Sequence, residues 1–251
     1  MQNKEQSKST DFDEVIMISE KSLKRRGWRE KLWNRLTTSS ILKELDKYID
    51  PNKTVIDVGG NSGYHCRYFA EHAKNVVTYE PVKELHEVQK QNIGQFGLTN
   101  VDFRNAAVSK DEGELTLFID TRRLSMTSQV PLVESEERKV PMVSLDGEGH
   151  KDVGFIKIDV EGFEMDVVYG AKNLIENERP NVMVEIYKPW AEKTGNGVDN
   201  YFIWFMQRDF KCYYYDCEQN RMIEVAGIVG GVNAVDKLHH LHDGDFLFVG
   251  K

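Results

Sequence analysis

The chain has 251 residues, of which 40% are hydrophobic and 29% are charged. A chain of this length and composition is expected to fold as one large globular domain or two small ones, and not to be disordered throughout. Its formal net charge of -8 argues against nonspecific binding to nucleic acid or to an anionic membrane, because such binding requires clustered Lys and Arg.

Cysteine usage and hydropathy indicate the compartment. The three cysteines, Cys66, Cys212 and Cys217, are an odd number without the spacing of metal ligands. They favour a reduced cytoplasm over an extracellular disulfide scaffold. No apolar run approaches the roughly 20 residues that span a bilayer, and the polar N-terminus does not resemble a signal peptide. We therefore expect a cytoplasmic protein without a membrane span.

Residues 1–50 are predicted to be a polar tail followed by a helical extension, and residues 51–251 to be the main domain. Leu36, Ile41 and Leu45 recur at helical spacing. The basic stretch "LKRRGWREKLWNRL" carries Trp28 and Trp33. We interpret it as a helix packed on the domain; contact with an acidic substrate or a membrane surface is the alternative.

From Thr54 onwards, strand-like and helix-like patterns alternate. Helices are predicted over 64–73, 82–96, 164–175 and 200–207. Strands are predicted over 54–58, 75–80, 101–108, 113–120, 153–160, 181–187, 211–216 and 245–250. This alternation predicts an α/β fold with a mainly parallel sheet covered by helices on both faces. The last two strands have no clear helix between them and predict an antiparallel edge. Residues 120–139 are polar and are predicted to be a long functional loop.

The stretch "DVGGNSG" follows the first strand and predicts a ligand-binding turn at the carboxyl end of the sheet. It does not match the dinucleotide pattern Gly-x-Gly-x-x-Gly, and a P-loop lysine is absent. Asp57 at the strand end repels phosphate but suits an ammonium group. These features indicate S-adenosylmethionine (SAM), which carries an amino group and a sulfonium but no phosphate.

The second strand supports a nucleoside site. It ends in "YEP", which places Glu80 about 20 residues after the turn, where an acid can accept hydrogen bonds from both ribose hydroxyls.

A second group of acids follows the strands near the middle of the sheet. Asp159 and Glu161 end one strand, and Glu185 ends its neighbour. Buried carboxylates at such ends are costly unless they are used or paired. Glu164 and Asp166 open the next helix, where they are interpreted as capping or surface residues.

Six blocks of the sequence resemble, in order, those of the FkbM family of SAM-dependent methyltransferases. The resemblance covers 54–187, and its most specific part is "KIDVEG". The blocks are "DVGGNSGYH", "VVTYEPV", "NAAVSKDEGELTLFI", "RLSMTSQV", "PMVSLD" and "FIKIDVEGFEMDVVYGA…PNVMVEI". The resemblance implies a Rossmann-like class I methyltransferase fold with a seven-stranded sheet, and O-methylation of a hydroxyl on a glycan or secondary metabolite.

The resemblance also implies roles for the turn and its neighbours. Glu80 would bind the ribose, and Asn105 and Ala106 would border the adenine. The methionine end of the cofactor would be held by Asp57, Gly59, Gly60, Asn61 and Gly63. Gly60 stands where alanine is common in the family, which we interpret as harmless.

For the chemistry, Asp159 is the first candidate for the base that takes the hydroxyl proton, with Glu161 and Glu185 as second candidates. A competing hypothesis has Asp159 binding the cofactor's ammonium. His65 is predicted either to reach the same crevice or to pack locally. Magnesium on Asp159 and Glu185 is conceivable, but the resemblance does not require a metal and none is predicted.

A sugar or glycan is the favoured acceptor, with a polyketide or other small metabolite as the runner-up. A catalytically silent methyltransferase fold that serves as a binding module is the alternative of a different class. No nucleic-acid partner is expected, and a homodimer is possible through the N-terminal helix or an exposed edge strand.

Overall fold

The computed structural model describes residues 40–120, 127–129, 135–195, 197–216, 219, 221–225 and 243–250. The helices of these residues are α1 Ser40–Leu45, α2 Tyr64–His72, α3 Lys83–Gly94, α4 Leu145–Glu148, α5 Glu164–Gly170, α6 Lys172–Glu178, α7 Lys188–Lys193 and α8 Val198–Met206. The strands are β1 Thr54–Val58, β2 Asn75–Tyr79, β3 Val101–Arg104, β4 Ala107–Val108, β5 Gly113–Asp120, β6 Thr127–Ser128, β7 Ser135–Val143, β8 Val153–Ile158, β9 Asn181–Tyr187, β10 Lys211–Asp216, β11 Arg221–Glu224 and β12 Asp243–Val249.

The main sheet of the described residues has eight strands in the order β11-β10-β12-β9-β8-β1-β2-β3. Strands β3, β2, β1, β8 and β9 are parallel, whereas β12 lies antiparallel between β9 and β10. The mainly parallel sheet with antiparallel strands at its C-terminal side is therefore confirmed. Because β2 and β8 lie on opposite sides of β1, a crevice opens at the carboxyl ends of these strands.

The predicted strand over 101–108 divides into two. β3 stays in the main sheet, whereas β4 pairs with β7 in a second sheet of order β4-β7-β5-β6. Between them, the Asn105 side chain donates hydrogen bonds to the carbonyls of Glu80 and Pro81, at 2.8 and 3.1 Å, and redirects the chain.

The prediction of a continuous loop over 120–139 was wrong in part, because β6 and the start of β7 lie within it. β7 pairs antiparallel with β5, from Gly113 opposite Met142 to Asp120 opposite Ser135. Its first residues are charged and largely exposed, so it does not show the apolar alternation by which strands are recognised. Within the predicted functional loop, Arg122, Arg123, Ser125 and Met126 lie outside the described residues, whereas Ser128 lies in β6.

One helix and the number of strands in the main sheet also differ from prediction. The helix predicted over 164–175 breaks at Ala171 into α5 and α6. Just before the break, a Cβ on Gly170 would lie 2.0 Å from the Ser109 carbonyl oxygen, so the chain here packs directly on backbone. Among the described residues the main sheet has eight strands where seven were expected, because β11 adds an outer strand whose polar, half-exposed "RMIE" sequence carries a weak strand signal.

Apolar layers cover both faces of the main sheet. One layer lies under α5, α6 and α8, and the other lies under α1 and α2. Leu42 and Leu45 of α1 are fully buried in the second layer, and a fully buried Leu contributes about 1.5–3 kcal/mol. The described part of the predicted N-terminal extension therefore packs on the sheet, while Trp28 and Trp33 lie outside the described residues. No described helix is long and apolar enough to cross a membrane.

Candidate active site

A cavity of about 560 Å³ opens at the carboxyl ends of β1, β2, β8 and β9. Its volume lies in the range typical of small-molecule sites, about 300–1,000 Å³. The predicted site residues that line it are Gly59, Gly60, Asn61, His65, Glu80, Ala106, Asp159, Glu161 and Glu185. Asp57, Gly63 and Asn105 do not line it but lie directly behind residues that do. The fold thus gathers most of the predicted residues around one space.

The turn after β1 is held by hydrogen bonds to the end of β2. The N–H groups of Gly59 and Gly60 donate to the Tyr79 carbonyl, at 3.0 and 2.9 Å. Asn61 is left-handed, with φ 49°, a conformation that Asn tolerates better than most residues. Its N–H donates to Glu80 Oε2 at 2.8 Å, and its Oδ1 accepts the N–H of Ser62 at 2.6 Å. This turn is therefore shaped before any ligand binds.

The three glycines of the turn are required by protein packing. A Cβ on Gly59 would lie 1.8 Å from the Asp159 carbonyl oxygen, and one on Gly63 would lie 2.9 Å from Gln89 Cγ. A Cβ on Gly60 would lie 2.1 Å from Thr78 Oγ1, within the buried pair in which Gln89 donates to Thr78 at 2.8 Å. This pair leaves no room for a Cβ at position 60, which agrees with the interpretation that glycine is harmless there.

Glu80 connects the turn, the cavity and the next helix. Its side chain is 5% exposed, and Oε1 accepts the N–H of Val82 at 2.9 Å while Oε2 accepts that of Asn61. Burial raises the pKa of Glu80 to about 7, against the opposing effect of these hydrogen bonds. A carboxylate oxygen has two lone pairs, so each oxygen of Glu80 keeps capacity to accept a ligand hydroxyl. The Asn105 side chain supports Glu80 from behind through the backbone and does not border the cavity.

Asp57 lies beneath the cavity wall and is fully buried. Neither of its carboxylate oxygens accepts a hydrogen bond from a described residue. Burial raises the pKa of Asp57 to about 6, and the ammonium of Lys157, 3.8 Å from Oδ1, opposes that rise. Asp57 was predicted to meet the ammonium group of a ligand. In the structure, the ammonium group beside it is that of Lys157.

Ionisable groups form a row across the sheet at the ends of β1, β8, β9 and β12. Lys157 Nζ lies 2.9 Å from Asp159 Oδ2, and Asp245 pairs across the strands with Glu185. Burial alone would raise the pKa of Asp159, but the charge of Lys157 and hydrogen bonds with Glu185 and Lys157 outweigh it and lower that pKa. The charge of Asp159, together with burial, raises the pKa of Glu185 strongly. Asp159 is therefore the ionised partner and Glu185 the protonated one.

Glu161 and His65 complete the polar wall. Glu161 has a left-handed backbone, with φ 56°; burial and the Asp159 charge raise the pKa of its carboxyl to about 7. His65 lines the cavity from the start of α2, which favours the first of its two predicted placements. Burial, together with the charge of Lys157, lowers the pKa of His65 to about 3, so its imidazole is neutral at pH 7.

The loop that carries Asp159 and Glu161 is held by Glu164 at the start of α5. The Glu164 carboxylate accepts the N–H groups of Gly162 and Val160 at 2.8 and 3.2 Å, and the Tyr201 hydroxyl at 3.3 Å. Glu164 thus binds the loop before its helix, and it does so from a buried position with 3% exposure.

Sequence reasoning missed several residues of the cavity. Lys157 and Asp245 lie in otherwise apolar strands. An ionisable residue within such a strand was the signal that could have identified each of them as a site residue. The apolar wall was missed because it comes from α1, α3 and the second sheet; it consists of Ile41, Leu85, Val108, Leu115 and Leu117. Gln129, within the predicted loop, also lines the cavity. Among the described residues, no group of three or more His, Cys, Asp or Glu side chains is placed to hold a metal ion.

The strand order and a site at the carboxyl ends of β1 and β2 define the class as a Rossmann-like methyltransferase fold. A sequence profile of the methyltransferase FkbM domain matches residues 57–221. The chain therefore belongs to the methyltransferase FkbM family, as its sequence blocks predicted.

Solved structures of similar proteins agree on the fold. The methyltransferase FkbM from Methylobacillus flagellatus is 12% identical with a TM-score of 0.52, over 79% of this chain and 44% of that one. A putative methyltransferase from Streptococcus mutans in complex with SAH is 10% identical with a TM-score of 0.50, over 84% of this chain and 95% of that one. At these identities the likeness shows the fold alone.

A protein-L-isoaspartate O-methyltransferase from Dictyoglomus turgidum is 31% identical over 78 residues. The match covers 31% of this chain and 34% of that enzyme. The chain thus spans about a third of this curated relative and less than half of the Methylobacillus protein.

Proposed function

We propose that this protein is an O-methyltransferase that transfers the methyl group of SAM to a hydroxyl of a sugar or glycan acceptor. The carrying observation is the position of Glu80, which binds the N–H of Asn61 in the glycine turn and faces the same cavity as Asp159 and Glu161. Family membership and the Streptococcus mutans structure, which holds SAH, support the choice of cofactor.

The residues present fit SAM at one end of the cavity. Glu80 offers free lone pairs to ribose hydroxyls, and the apolar wall that includes Leu85, Val108 and Leu117 suits the face of an adenine. Asn61, Gly59 and Gly60 bring the backbone of the turn to the cavity, where the methionine end would lie. When bound, SAM supplies an electrophilic methyl on a sulfonium. The chain's own task is to align the acceptor oxygen with that methyl, and such positioning lowers the barrier by several kcal/mol.

We propose Glu161 as the base that takes the acceptor's hydroxyl proton. Its carboxyl faces the cavity and its pKa is raised to about 7, close to the value at which a general base works best at neutral pH. Asp159 was the first candidate from sequence, but the Lys157 ammonium at 2.9 Å keeps it ionised and makes it a weak base. Asp159 fits the competing hypothesis better, as a fixed anion that faces the positively charged end of the cofactor.

The polar wall supports a polyhydroxylated acceptor. Glu161, Glu185 and Asp245 present carboxyl oxygens to the cavity, and these accept hydrogen bonds from hydroxyl groups. Polyketide and other small-metabolite hydroxyls need fewer such acceptors. This is why a sugar or glycan remains the favoured acceptor.

The proposal is tested in two steps. Isothermal titration with SAM is expected to show binding that Glu80→Gln weakens at least about tenfold, because an amide cannot accept hydrogen bonds at both positions. Glu84→Gln is the matched control: Glu84 lies four residues later, is exposed and pairs with Arg138 at 2.7 Å, so SAM affinity should not change. Methyl transfer from labelled SAM is then screened on sugars, nucleotide sugars and polyketides. Absence of SAM binding by the unaltered protein would favour a binding module instead.

A further inference from the structure

Lys157 is a cation in the interior of the sheet. It lies on β8, its side chain is 3% exposed, and its Nζ lies 2.9 Å from Asp159 Oδ2 and 3.8 Å from Asp57 Oδ1. Burying an ammonium costs several kcal/mol even when it is paired, and an apolar residue of similar size is often as stable or more so. The next position across the sheet, Met183 on β9, is such a residue. Stability of the core is therefore a weak reason for a lysine here.

The register of the strands explains why this ammonium reaches both carboxylates. Asp57 on β1 lies directly beside Lys157 on β8, and Asp159 follows two residues later, so that all three side chains point to one face. The charged or titratable groups of the described residues around this point come from β1, α2, the ends of β2 and β8, α5, β9 and β12. They are Asp57, His65, Glu80, Asp159, Glu161, Glu164, Glu185 and Asp245. Among the described residues, Lys157 supplies the positive charge of this cluster at neutral pH.

We propose that Lys157 is a positioning residue of the active site: its buried ammonium holds the Asp159 carboxylate ionised and oriented towards the cavity, and ties it to the strand that carries the glycine turn. The functional meaning of this anion rests on the proposed function, in which Asp159 faces the charged end of the cofactor. The link itself is a property of the protein without any ligand.

Two observations favour positioning over a purely structural role. Lys157 lines the cavity, so its charge acts on whatever lies there. Its contact is also directional, since the 2.9 Å hydrogen bond goes to one oxygen of Asp159. The other buried acid nearby, Asp57, receives no hydrogen bond from it. A neutral side chain of similar length would fill the volume but would leave Asp159 free to take up a proton and to rotate.

The test follows protonation of Asp159 directly. The full-length protein is labelled at aspartate side-chain carboxyl carbons, and the Asp159 signal is assigned by its loss in Asp159→Asn. In Lys157→Gln, the NMR titration midpoint of Asp159 is expected to rise by at least about one pH unit, because the opposite charge that lowers it is gone. Lys139→Gln is the control, since it removes an ion pair of 2.8 Å, to Glu114, on the exposed surface; the midpoint should stay at the wild-type value.

Lys157→Gln leaves the buried Asp57 and the half-buried Asp159 without a cation and risks unfolding. The double variant Asp57→Asn with Lys157→Met removes one charge of each sign, and its thermal unfolding is measured first. A rise of the midpoint smaller than one unit in either folded variant overturns the proposal. A measurement on the unaltered protein decides if neither variant folds: the ¹⁵N shift of the Lys157 ammonium must follow the Asp159 midpoint, and two unrelated midpoints overturn the proposal.

This titration is independent of methyl transfer, because it uses neither cofactor nor acceptor. Failure of the unaltered protein to bind SAM would overturn the proposed function and leave the titration readable. An unchanged Asp159 midpoint would overturn the role of Lys157 and leave the proposed function standing.

Discussion

At the scale of single residues, the site depends on side chains held in uncommon backbone conformations. Glu161 is left-handed without being glycine, and Gly162 after it has φ 100°. A left-handed residue other than glycine costs about 1–3 kcal/mol and persists where the surroundings enforce it. Here the Glu164 carboxylate holds the N–H of Gly162. The result is a carboxyl at the cavity whose proton affinity is set near neutrality.

Glu161 should therefore control the pH dependence of turnover. A base must be unprotonated to act, so the rate is expected to rise with pH through about 7, the raised pKa of Glu161. Glu161→Gln should remove this limb and lower kcat by about 10²–10⁴-fold, with SAM affinity retained. Glu185→Gln is the comparison, since Glu185 is already protonated at neutral pH and should keep the limb. Loss of the limb in Glu185→Gln but not in Glu161→Gln would reverse the assignment.

Glycine is needed at position 60 because of the space around it, since its backbone does not have a positive φ. Gly60→Ala places a Cβ 2.1 Å from Thr78 Oγ1 and 2.2 Å from Gln89 Nε2, so their buried hydrogen bond must break or move. We expect a loss of about 1–3 kcal/mol in the free energy of unfolding, measured by urea denaturation. Gly94→Ala in α3 meets nothing within 4 Å and should be neutral or slightly stabilising. Equal stabilities for the two variants would show that the turn has more room than the structure gives it.

At the scale of elements, the strand β8, the loop after it and the helix α5 act as one unit. β8 supplies Lys157, the loop supplies Asp159 and Glu161, and α5 begins at Glu164, which binds the loop's N–H groups. Carboxylates are favoured at a helix N-terminus, but this one is nearly fully buried. It therefore joins the helix to the loop.

Removing the Glu164 carboxylate should lower both the stability of the fold and the activity of the site. Glu164→Ala leaves the N–H groups of Val160 and Gly162 and the Tyr201 hydroxyl without this partner. We expect a loss of about 1–3 kcal/mol in unfolding free energy, measured by chemical denaturation, and a lower kcat. Asp166→Ala, in the same turn, removes a 3.6 Å surface pair with Lys110 and should cost at most about 1 kcal/mol. Equal unfolding free energies for Glu164→Ala and Asp166→Ala would contradict the role of Glu164 in holding the loop.

At the scale of the whole molecule, acids concentrate at the carboxyl ends of β1, β2, β8 and β9 and at the adjoining amino end of the antiparallel β12. Burial raises the pKa of Asp57 and Asp245 to about 6, and that of Glu80 and Glu161 to about 7. The folded state therefore holds these protons to a higher pH than the unfolded state. Their contribution to stability is present in full below about pH 4 and is lost as pH rises through about 6–7.

The protein without ligand should accordingly become less stable between pH 5 and 7.5. Three imidazoles, those of His65, His86 and His150, act in the opposite direction, because burial lowers their pKa values and their neutral forms are favoured as pH rises through about 6.5. The pKa values of Glu164 and Glu185 are raised as well, so six carboxyls oppose three imidazoles. We therefore expect the melting temperature to fall by several degrees over this range, measured by calorimetry. Glu161→Gln should reduce the fall. A melting temperature that rises from pH 5 to 7.5 would contradict this arrangement of buried acids.

The local patterns of the sequence were enough for the central strands and for the chain's family. A buried parallel strand is a short apolar run, and the glycine turn, Glu80 and "KIDVEG" carry their chemistry within a few residues. β7 and β11 were not predicted, because charged, half-exposed strands do not show the alternation of apolar and polar residues by which strands are recognised. The break in the helix at Ala171 was not predicted, because the close packing of Gly170 on the Ser109 backbone beside it joins segments distant in sequence.

The sequence by itself determined which residue types meet at the carboxyl ends of the strands, since the side-chain alternation of a strand and the order of its blocks are local properties. Only the tertiary structure decided what those residues do to one another. Lys157 keeps Asp159 ionised, Glu185 takes the proton, Glu161 is set near neutrality, and Gly60 is required by Thr78 and Gln89. The physical reason is that pKa values and steric space depend on neighbours brought close by strand pairing.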